Sequence, residues 1–180
     1  MMTRRAFALG FVTGFTLVAC APDTSSTGFR DTRIPLTVTT RDTLSALDGV
    51  WFVRAYFPGD SGLESVSFSP GVPPETTVEF EWDQCQPGSD CVRVTETQRG
   101  RSLGQNRLRV TGGGRAGARE LWLVWIDEGR RTAAIGTPDG SFGWILDRSS
   151  TGGQDRITAA REVLAFNGYM VGMMKLKRVD

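Results

Sequence analysis

The chain has 180 residues and a nearly balanced charge, with 21 Lys and Arg against 20 Asp and Glu. Because no segment forms a basic stripe, the composition argues against a partner nucleic acid. The chain contains no histidine, which removes the commonest general base, the usual metal ligand and every catalytic group built on histidine. We therefore expect no metal, no cofactor and no enzymatic activity.

Residues 1–19 are typical of an export signal and not of a folded element. Arg4 and Arg5 precede an apolar run from Ala6 to Ala19, which is short for a helix that spans a bilayer. The start of the chain also resembles a twin-arginine export signal, in which two arginines precede a variable residue and an apolar one. An ordinary secretion signal that carries two arginines is the alternative.

The run Leu17-Val18-Ala19-Cys20 resembles the lipobox of bacterial lipoproteins. The resemblance implies cleavage before Cys20, acylation of its thiol and attachment to a membrane by lipid. The residue after Cys20 is Ala21 and not aspartate, which resembles the pattern of lipoproteins that are sorted to the outer membrane. The expected location is therefore the outer membrane facing the periplasm, with the inner membrane as the alternative. A single uncleaved anchor helix is the other reading of residues 1–19.

Residues 20–43 are rich in Thr, Ser, Asp and Pro and have little periodic apolar content. This composition predicts a flexible tether. The folded domain is then expected over residues 44–180.

Apolar and polar residues alternate along several segments of that domain, as in strands of an antiparallel sheet with one buried face. The alternating segments are Trp51–Phe57, 76–82, 91–95 and 107–110. Residues Leu121–Ile126 are apolar on both faces, which indicates a strand covered on both sides. The predicted cover is a helix from about Gln154 to Asn167, and a last strand is expected from Tyr169 to about Arg178.

Cys85 and Cys91 are the two cysteines that remain once Cys20 is acylated. In an oxidising periplasm they are expected to form one disulfide. This pairing would place Trp82 opposite Val94, and Asp83 opposite Arg93, in one hairpin. A redox-active pair is the alternative, although the spacing differs from Cys-x-x-Cys.

The order of elements predicts an all-β domain with one helix, either a barrel or a sandwich. Three segments make the chain resemble a lipocalin, and in particular the small bacterial outer-membrane lipocalins. They are the Gly-x-Trp start at Gly49-Val50-Trp51, the hairpin from Leu121 to Gly136, and the strand Phe142–Arg148 that ends in arginine. The hairpin turn Asp127-Glu128-Gly129 departs from the family, which commonly has an aromatic residue after the aspartate.

The resemblance implies an eight-stranded antiparallel up-and-down barrel with a C-terminal helix packed on its outside and a trailing strand. Trp51 would plug the closed end, with Arg148 lying over its indole ring. A monomer is expected that binds a small hydrophobic ligand, such as a fatty acid or a lysophospholipid. The alternative is a filled interior in a protein-interaction or inhibitor module. The predicted cavity lining is Val53, Ala55, Phe57, Val78, Phe80, Trp82, Val92, Val94, Leu108 and Val110.

Overall fold

The structure is a computed structural model that describes residues 28–177. The predicted signal peptide, the lipid-attachment residue Cys20 and the basic residue Arg178 lie outside the described residues. Between residues 28 and 177, no helix is both long and apolar enough to cross a membrane.

Eight antiparallel strands form a closed barrel, which confirms the predicted fold class. Each strand pairs with the next along the chain, and β1 pairs with both β8 and β2, which closes the ring. The strands are β1 Gly49–Tyr56, β2 Leu63–Pro70, β3 Glu75–Gln84, β4 Val92–Gly104, β5 Arg107–Thr111, β6 Arg119–Ile126, β7 Thr132–Gly136 and β8 Gly143–Asp147. A short 3-10 helix, Leu44–Leu47, precedes β1.

The β3–β4 hairpin carries the predicted disulfide, because Cys85 and Cys91 are bonded. Trp82 pairs with Val94 and Asp83 with Arg93, in the register that the sequence predicted. The Arg93 guanidinium donates to the Asp83 carboxylate at 2.9 Å (Nε to Oδ1). Apolar and polar residues alternate without interruption along β3, so a short stretch of sequence was enough to predict this register.

One α-helix, α1 Gln154–Phe166, packs on the outside of the barrel. Its buried side chains Ile157, Ala160 and Leu164 recur at helical spacing and face β6, β7 and β8. Burial of this stripe supplies most of the stabilisation of the helix, as is usual for a helix with one apolar face against a core. The helix thus covers the outer face of β6, as the two-sided apolar run Leu121–Ile126 predicted.

Bulges in β1 and β6 change which of their side chains face the interior. In β1 the pairing with β8 shifts between Val53 and Ala55, so Val53 belongs to the interior cluster and Ala55 to the cluster under α1. In β6 the pairing with β7 shifts between Leu123 and Trp125. An extra residue in one strand reverses the facing of every residue that follows it.

The predicted last strand is shorter than expected. After α1 the chain turns at Gly168, whose φ of 86° favours glycine, and the Tyr169 side chain is buried. A second 3-10 helix, Val171–Met173, leads to β9, Lys175–Leu176. This strand pairs with the end of β1 outside the ring, where Tyr56 lies opposite Lys175.

The Tyr169 hydroxyl ties the helix end to the barrel. It accepts from the backbone N–H of Thr137 at 2.7 Å, and lies 3.1 Å from the carbonyl oxygens of both Thr137 and Phe142. Burial raises the pKa of Tyr169 to about 12, while the hydrogen bond with Thr137 opposes that shift.

The predicted tether needs correction within its described part, because residues 28–43 pack against the barrel. Phe29 stacks on Phe57 with ring centroids 4.7 Å apart. Arg30 is buried and donates its Nε to the carbonyl oxygen of Asn167 at 2.9 Å. Farther along, the N–H of Thr39 bonds to the carbonyl oxygen of Leu123 at 2.9 Å. The polar composition of this stretch concealed its anchoring residues.

Candidate functional site

The barrel interior brings together most of the predicted lining. The side chains that face it are Val53, Val78, Phe80, Trp82, Leu108 and Val110. Val94 is half-buried near the start of β4, and Val92 is exposed. Ala55 and Phe57 were wrongly predicted to face inward, because the β1 bulge turns them under α1.

The interior also contains aromatic and aliphatic residues that sequence reasoning missed. Trp144 and Leu146 alternate inward along β8, and Leu63, Val66 and Phe68 do so along β2. The β8 alternation was visible within the strand that resembled the family pattern. The β2 residues are interrupted by a bulge between Leu63 and Ser65, which breaks the period-two signal.

The closed end of the barrel is sealed by Trp51 and Arg148. The Arg148 guanidinium carbon lies 3.8 Å from the centroid of the Trp51 ring. Arg148 donates to the carbonyl oxygens of Val50, Ala46 and Asp48 at 3.0, 3.1 and 2.7 Å. Burial lowers the pKa of Arg148, and the nearby Asp48 charge opposes that shift.

The opposite end, which we call the mouth, is closed by an ion pair. Arg119 Nη1 lies 3.2 and 3.3 Å from the two carboxylate oxygens of Asp60. Trp144 donates its Nε1–H to the same carboxylate at 2.7 Å. The Arg119 guanidinium also lies over the Phe142 ring, 4.7 Å from its centroid. The sequence separations within this group are too long for any local pattern to reveal it.

A glycine-rich connection between β5 and β6 folds over the mouth. We call residues 112–118 the mouth lid. Glu96 accepts the backbone N–H groups of Arg115 and Ala116 at 2.8 and 3.0 Å. Ala116 is buried in the interior cluster, and Arg115 lies over Trp82 at 4.6 Å from the ring centroid. Gly114 and Gly117 adopt positive φ, which favours glycine at both positions.

The interior is packed in this conformation. Trp51, Trp82, Trp144 and Phe80 are each 0% exposed. A side chain with no exposed surface borders neither bulk solvent nor a void that could hold a water molecule. A shallow depression of about 230 Å³ lies outside the mouth, against Asp60, Arg119 and Phe142.

Two buried polar atoms of the interior residues have no hydrogen-bond partner among residues 28–177. They are the indole nitrogen Nε1 of Trp82 and the amide oxygen Oε1 of Gln98. The other end of the Gln98 amide donates to the carbonyl oxygen of Gly113 in the mouth lid at 2.9 Å. Leaving a buried polar atom unpaired costs about 1–3 kcal/mol, so these two atoms keep an unused hydrogen-bonding capacity inside the barrel.

Within the described part of the chain, no group of three or more acidic or cysteine side chains is arranged to hold a metal ion. The Asp127 carboxylate, in the turn that departs from the family pattern, serves a structural purpose. It accepts backbone N–H groups from Gly129, Arg131 and Thr132 at 3.2, 2.5 and 2.6 Å. Burial raises the pKa of Asp127, but these hydrogen bonds outweigh it, so the pKa is lowered.

No family model matches the chain, and no curated protein matches its sequence. Solved structures do match. Lobster apocrustacyanin A1 aligns with a TM-score of 0.59 at 12% identity, over 76% of this chain and 79% of that one. Japanin from Rhipicephalus appendiculatus, solved bound to cholesterol, gives 0.58 at 6% identity, over 77% and 98%. The bovine lipocalin allergen Bos d 2 gives 0.52 at 9%, over 74% and 93%.

These matches confirm the resemblance to lipocalins, and the chain has the lipocalin fold. At such low identities the likeness shows the fold alone.

Proposed function

We propose that the protein binds a small hydrophobic molecule in the interior of its barrel, and that acylated Cys20 holds it on a bacterial membrane. The observation that carries the binding proposal is the contrast between the two barrel ends. Backbone carbonyls hold Arg148 over the closed end. A glycine-rich lid and one ion pair cover the mouth. A ligand would enter where the covering segment can move without unfolding strands.

The interior residues favour an amphiphile with one polar group. Their apolar and aromatic side chains match an acyl chain or a ring system. Trp82 Nε1 lacks an acceptor and Gln98 Oε1 lacks a donor, so a hydroxyl or a protonated carboxyl group could serve either atom. Fatty acids and lysophospholipids fit this description, as does a sterol of the kind bound in the structure of japanin.

Because the interior is packed, binding requires the mouth lid to open and the mouth side chains to withdraw. Arg119, Ala116 and Phe142 occupy the space nearest the mouth. Their withdrawal would provide room without disturbing Trp51 at the closed end. The closed conformation is then the ligand-free state of a gated binding site.

A second candidate function is a protein-interaction or inhibitor module with a permanently filled interior. The complete burial of Trp51, Trp82 and Trp144 favours it, because eight strands enclose a space that side chains alone can fill. In that case the barrel is a rigid scaffold, and its loops or outer face carry the function. Neither candidate is an enzyme.

The test is a ligand titration of the processed chain, residues 20–180, which contains every described element of the domain. Palmitic acid and a lysophospholipid are titrated while tryptophan fluorescence and native mass are followed. Saturable one-to-one binding supports the gated site, and a bare mass with no response to either supports the filled module. Native mass also tests the expected monomer.

A matched pair of variants locates the ligand. Trp82→Phe removes the unpaired indole N–H, whereas Trp51→Phe removes an indole N–H that already donates to the Leu47 carbonyl oxygen at 2.6 Å. We expect Trp82→Phe to weaken binding of the polar-headed ligand about tenfold beyond any effect of Trp51→Phe. Equal effects would place the polar group elsewhere.

The membrane location is proposed from the run Leu17–Cys20, Ala21 and the arginines Arg4 and Arg5. We propose cleavage before Cys20 and attachment to the outer membrane, on its periplasmic side. Metabolic labelling with palmitic acid tests it: the wild-type protein should incorporate the label and Cys20→Ser should not. A wild-type protein that takes up no label would refute the lipid anchor.

A further inference from the structure

Exposed apolar side chains are concentrated where α1 ends and β9 begins. Phe166 is 80% exposed, Met170 and Met173 are each 44% exposed, and Leu176 is 51% exposed. Ile34 is also exposed and packs beside Gly168. We call these five residues the helix-end patch. Exposure of these apolar side chains to water is unfavourable, and a contiguous apolar cluster of this kind marks an interaction surface.

The helix-end patch lies at the mouth end of the barrel. Between Phe166 and Met170 of the patch, Tyr169 is hydrogen-bonded to Thr137 and Phe142, which flank the β7–β8 connection at the mouth. On its other side, Leu176 pairs with Ala55 near the end of β1 that leads to Asp60. A surface that received the patch would therefore also face the mouth.

The N-terminal segment joins the fold beside this patch. The N–H of Phe29 bonds to the carbonyl oxygen of Gly140 at 2.7 Å, and the N–H of Met170 bonds to the carbonyl oxygen of Phe29 at 2.8 Å. Cys20 precedes Gly28 by eight residues, so a fully extended link spans at most about 26–29 Å. An anchor at Cys20 is thus tethered at the mouth end of the barrel, within that reach.

The length of the barrel favours an orientation with the mouth end toward the membrane. Strand β1 has 8 residues and is therefore about 26 Å long. If the closed end faced the membrane, the link would use most of its reach to run back along the barrel. An acylated Cys20 has the most slack to enter the bilayer when the mouth end is near the surface.

The charges around the patch agree with a membrane surface. Lys175 is exposed, whereas Lys177 is paired with Glu64 and Arg161 donates to the carbonyl oxygen of Val171 at 3.2 Å. Over residues 161–177, Glu162 is the single acidic residue. Basic side chains beside exposed apolar ones suit the anionic headgroups and acyl boundary of a bilayer.

We propose that the helix-end patch rests on the lipid bilayer and holds the barrel with its mouth toward the membrane. The proposal relies on the lipid anchor proposed above and adds an orientation to it. In this orientation a hydrophobic ligand could pass between the bilayer and the barrel with little exposure to water.

The orientation is tested on vesicles to which the processed chain, residues 20–180, is coupled chemically. Since Cys85 and Cys91 are bonded, the Cys20 thiol reacts selectively with a maleimide-bearing lipid in vesicles of phosphatidylethanolamine and phosphatidylglycerol. Phe166→Trp introduces a fluorophore into the patch, and Val72→Trp introduces one at an 83% exposed site near the closed end. Brominated acyl chains quench indoles that enter the bilayer.

We expect quenching of the added F166W signal, above the wild-type background, and none for V72W. Equal quenching of both variants, or none for F166W, would overturn the proposal. Chemical coupling makes this result independent of whether a cell acylates Cys20.

A second measurement uses the same chain with Cys20 blocked by iodoacetamide. Co-sedimentation with the same vesicles should fall about tenfold in Phe166→Ser and stay unchanged in Val72→Ser, because only the first loses a membrane-buried side chain. A fall of equal size in both variants, or in neither, would also overturn the proposal. Phe166→Ser should bind soluble palmitic acid like the wild type, so a failure of ligand binding is separable from a failure of membrane contact.

Discussion

The ion pair at the mouth gives a direct test of gating. Asp60→Asn keeps the size of the side chain and an acceptor for Trp144, but removes the charge opposite Arg119. Side-chain exposures of 14% for Arg119 and 6% for Asp60 make this a largely buried pair. Breaking a buried pair from one side costs about 3–5 kcal/mol.

The expected cost of Asp60→Asn lies below that range. Arg119 keeps its bond to the carbonyl oxygen of Ala116 at 2.6 Å and its contacts with the Phe142 and Trp144 rings. We therefore expect a loss of about 2–3 kcal/mol from the closed state. If this loss is confined to the closed mouth, lid opening becomes about 30–150 times more frequent.

Amide hydrogen exchange measures that opening without a ligand. The N–H of Ala116 donates to Glu96, so it exchanges when the mouth lid lifts. Asp60→Asn should accelerate its exchange far more than that of Thr132 in β7, whose N–H is buried against Asp127. The control is Asp83→Asn, which removes the same charge from the exposed pair with Arg93 and is worth about 0–1 kcal/mol. An unchanged rate at Ala116 in Asp60→Asn would refute the gate.

Three further predictions concern stability, each measured by urea unfolding. Arg148→Met should cost about 2–3 kcal/mol, because the cation–π contact with Trp51 and charge-assisted hydrogen bonds to carbonyls are lost together; a loss below 1 kcal/mol would contradict this role. Replacing Cys85 and Cys91 by serine should cost about 2 kcal/mol, since the disulfide closes a short loop, and should leave exchange in the mouth lid unchanged. The raised pKa of Tyr169, about 12, means that the folded state keeps a proton that the unfolded chain loses above about pH 10. Its stabilisation is therefore complete below pH 10 and lost as pH rises toward 12, by about 2 kcal/mol, whereas Tyr169→Phe should lack this dependence.

Sequence reasoning succeeded where the signal was local. The alternation of Val78, Phe80 and Trp82 is uninterrupted, and the disulfide cysteine Cys85 directly follows the same strand. A short stretch of sequence was therefore enough to predict which side chains face inward and how β3 pairs with β4. The helix was also recoverable, because Ile157, Ala160 and Leu164 recur at helical spacing.

Sequence reasoning failed where tertiary contacts override local pattern. The alternation from Trp51 to Phe57 is uninterrupted, so the sequence gives no sign of a bulge. The bulge is seen only in the pairing with β8, and beyond it Phe57 packs under Phe29 and α1. The mouth lid has no periodicity, and its partner Glu96 is distant in sequence. The polar composition of residues 28–43 likewise hides the two residues, Phe29 and Arg30, that fix the segment.

A packed interior is compatible with ligand binding if the mouth can open at a limited free-energy cost. A ligand that binds only the open state has its affinity reduced by the fraction of molecules that are open. Asp60→Asn should therefore raise the affinity for palmitic acid by the same factor by which it accelerates exchange at Ala116, up to the point where the open state predominates. In a permanently filled barrel, the variant would lose stability and expose the lid without gaining affinity. The ratio of the gain in affinity to the gain in exchange rate thus separates a gated binding site from a filled scaffold.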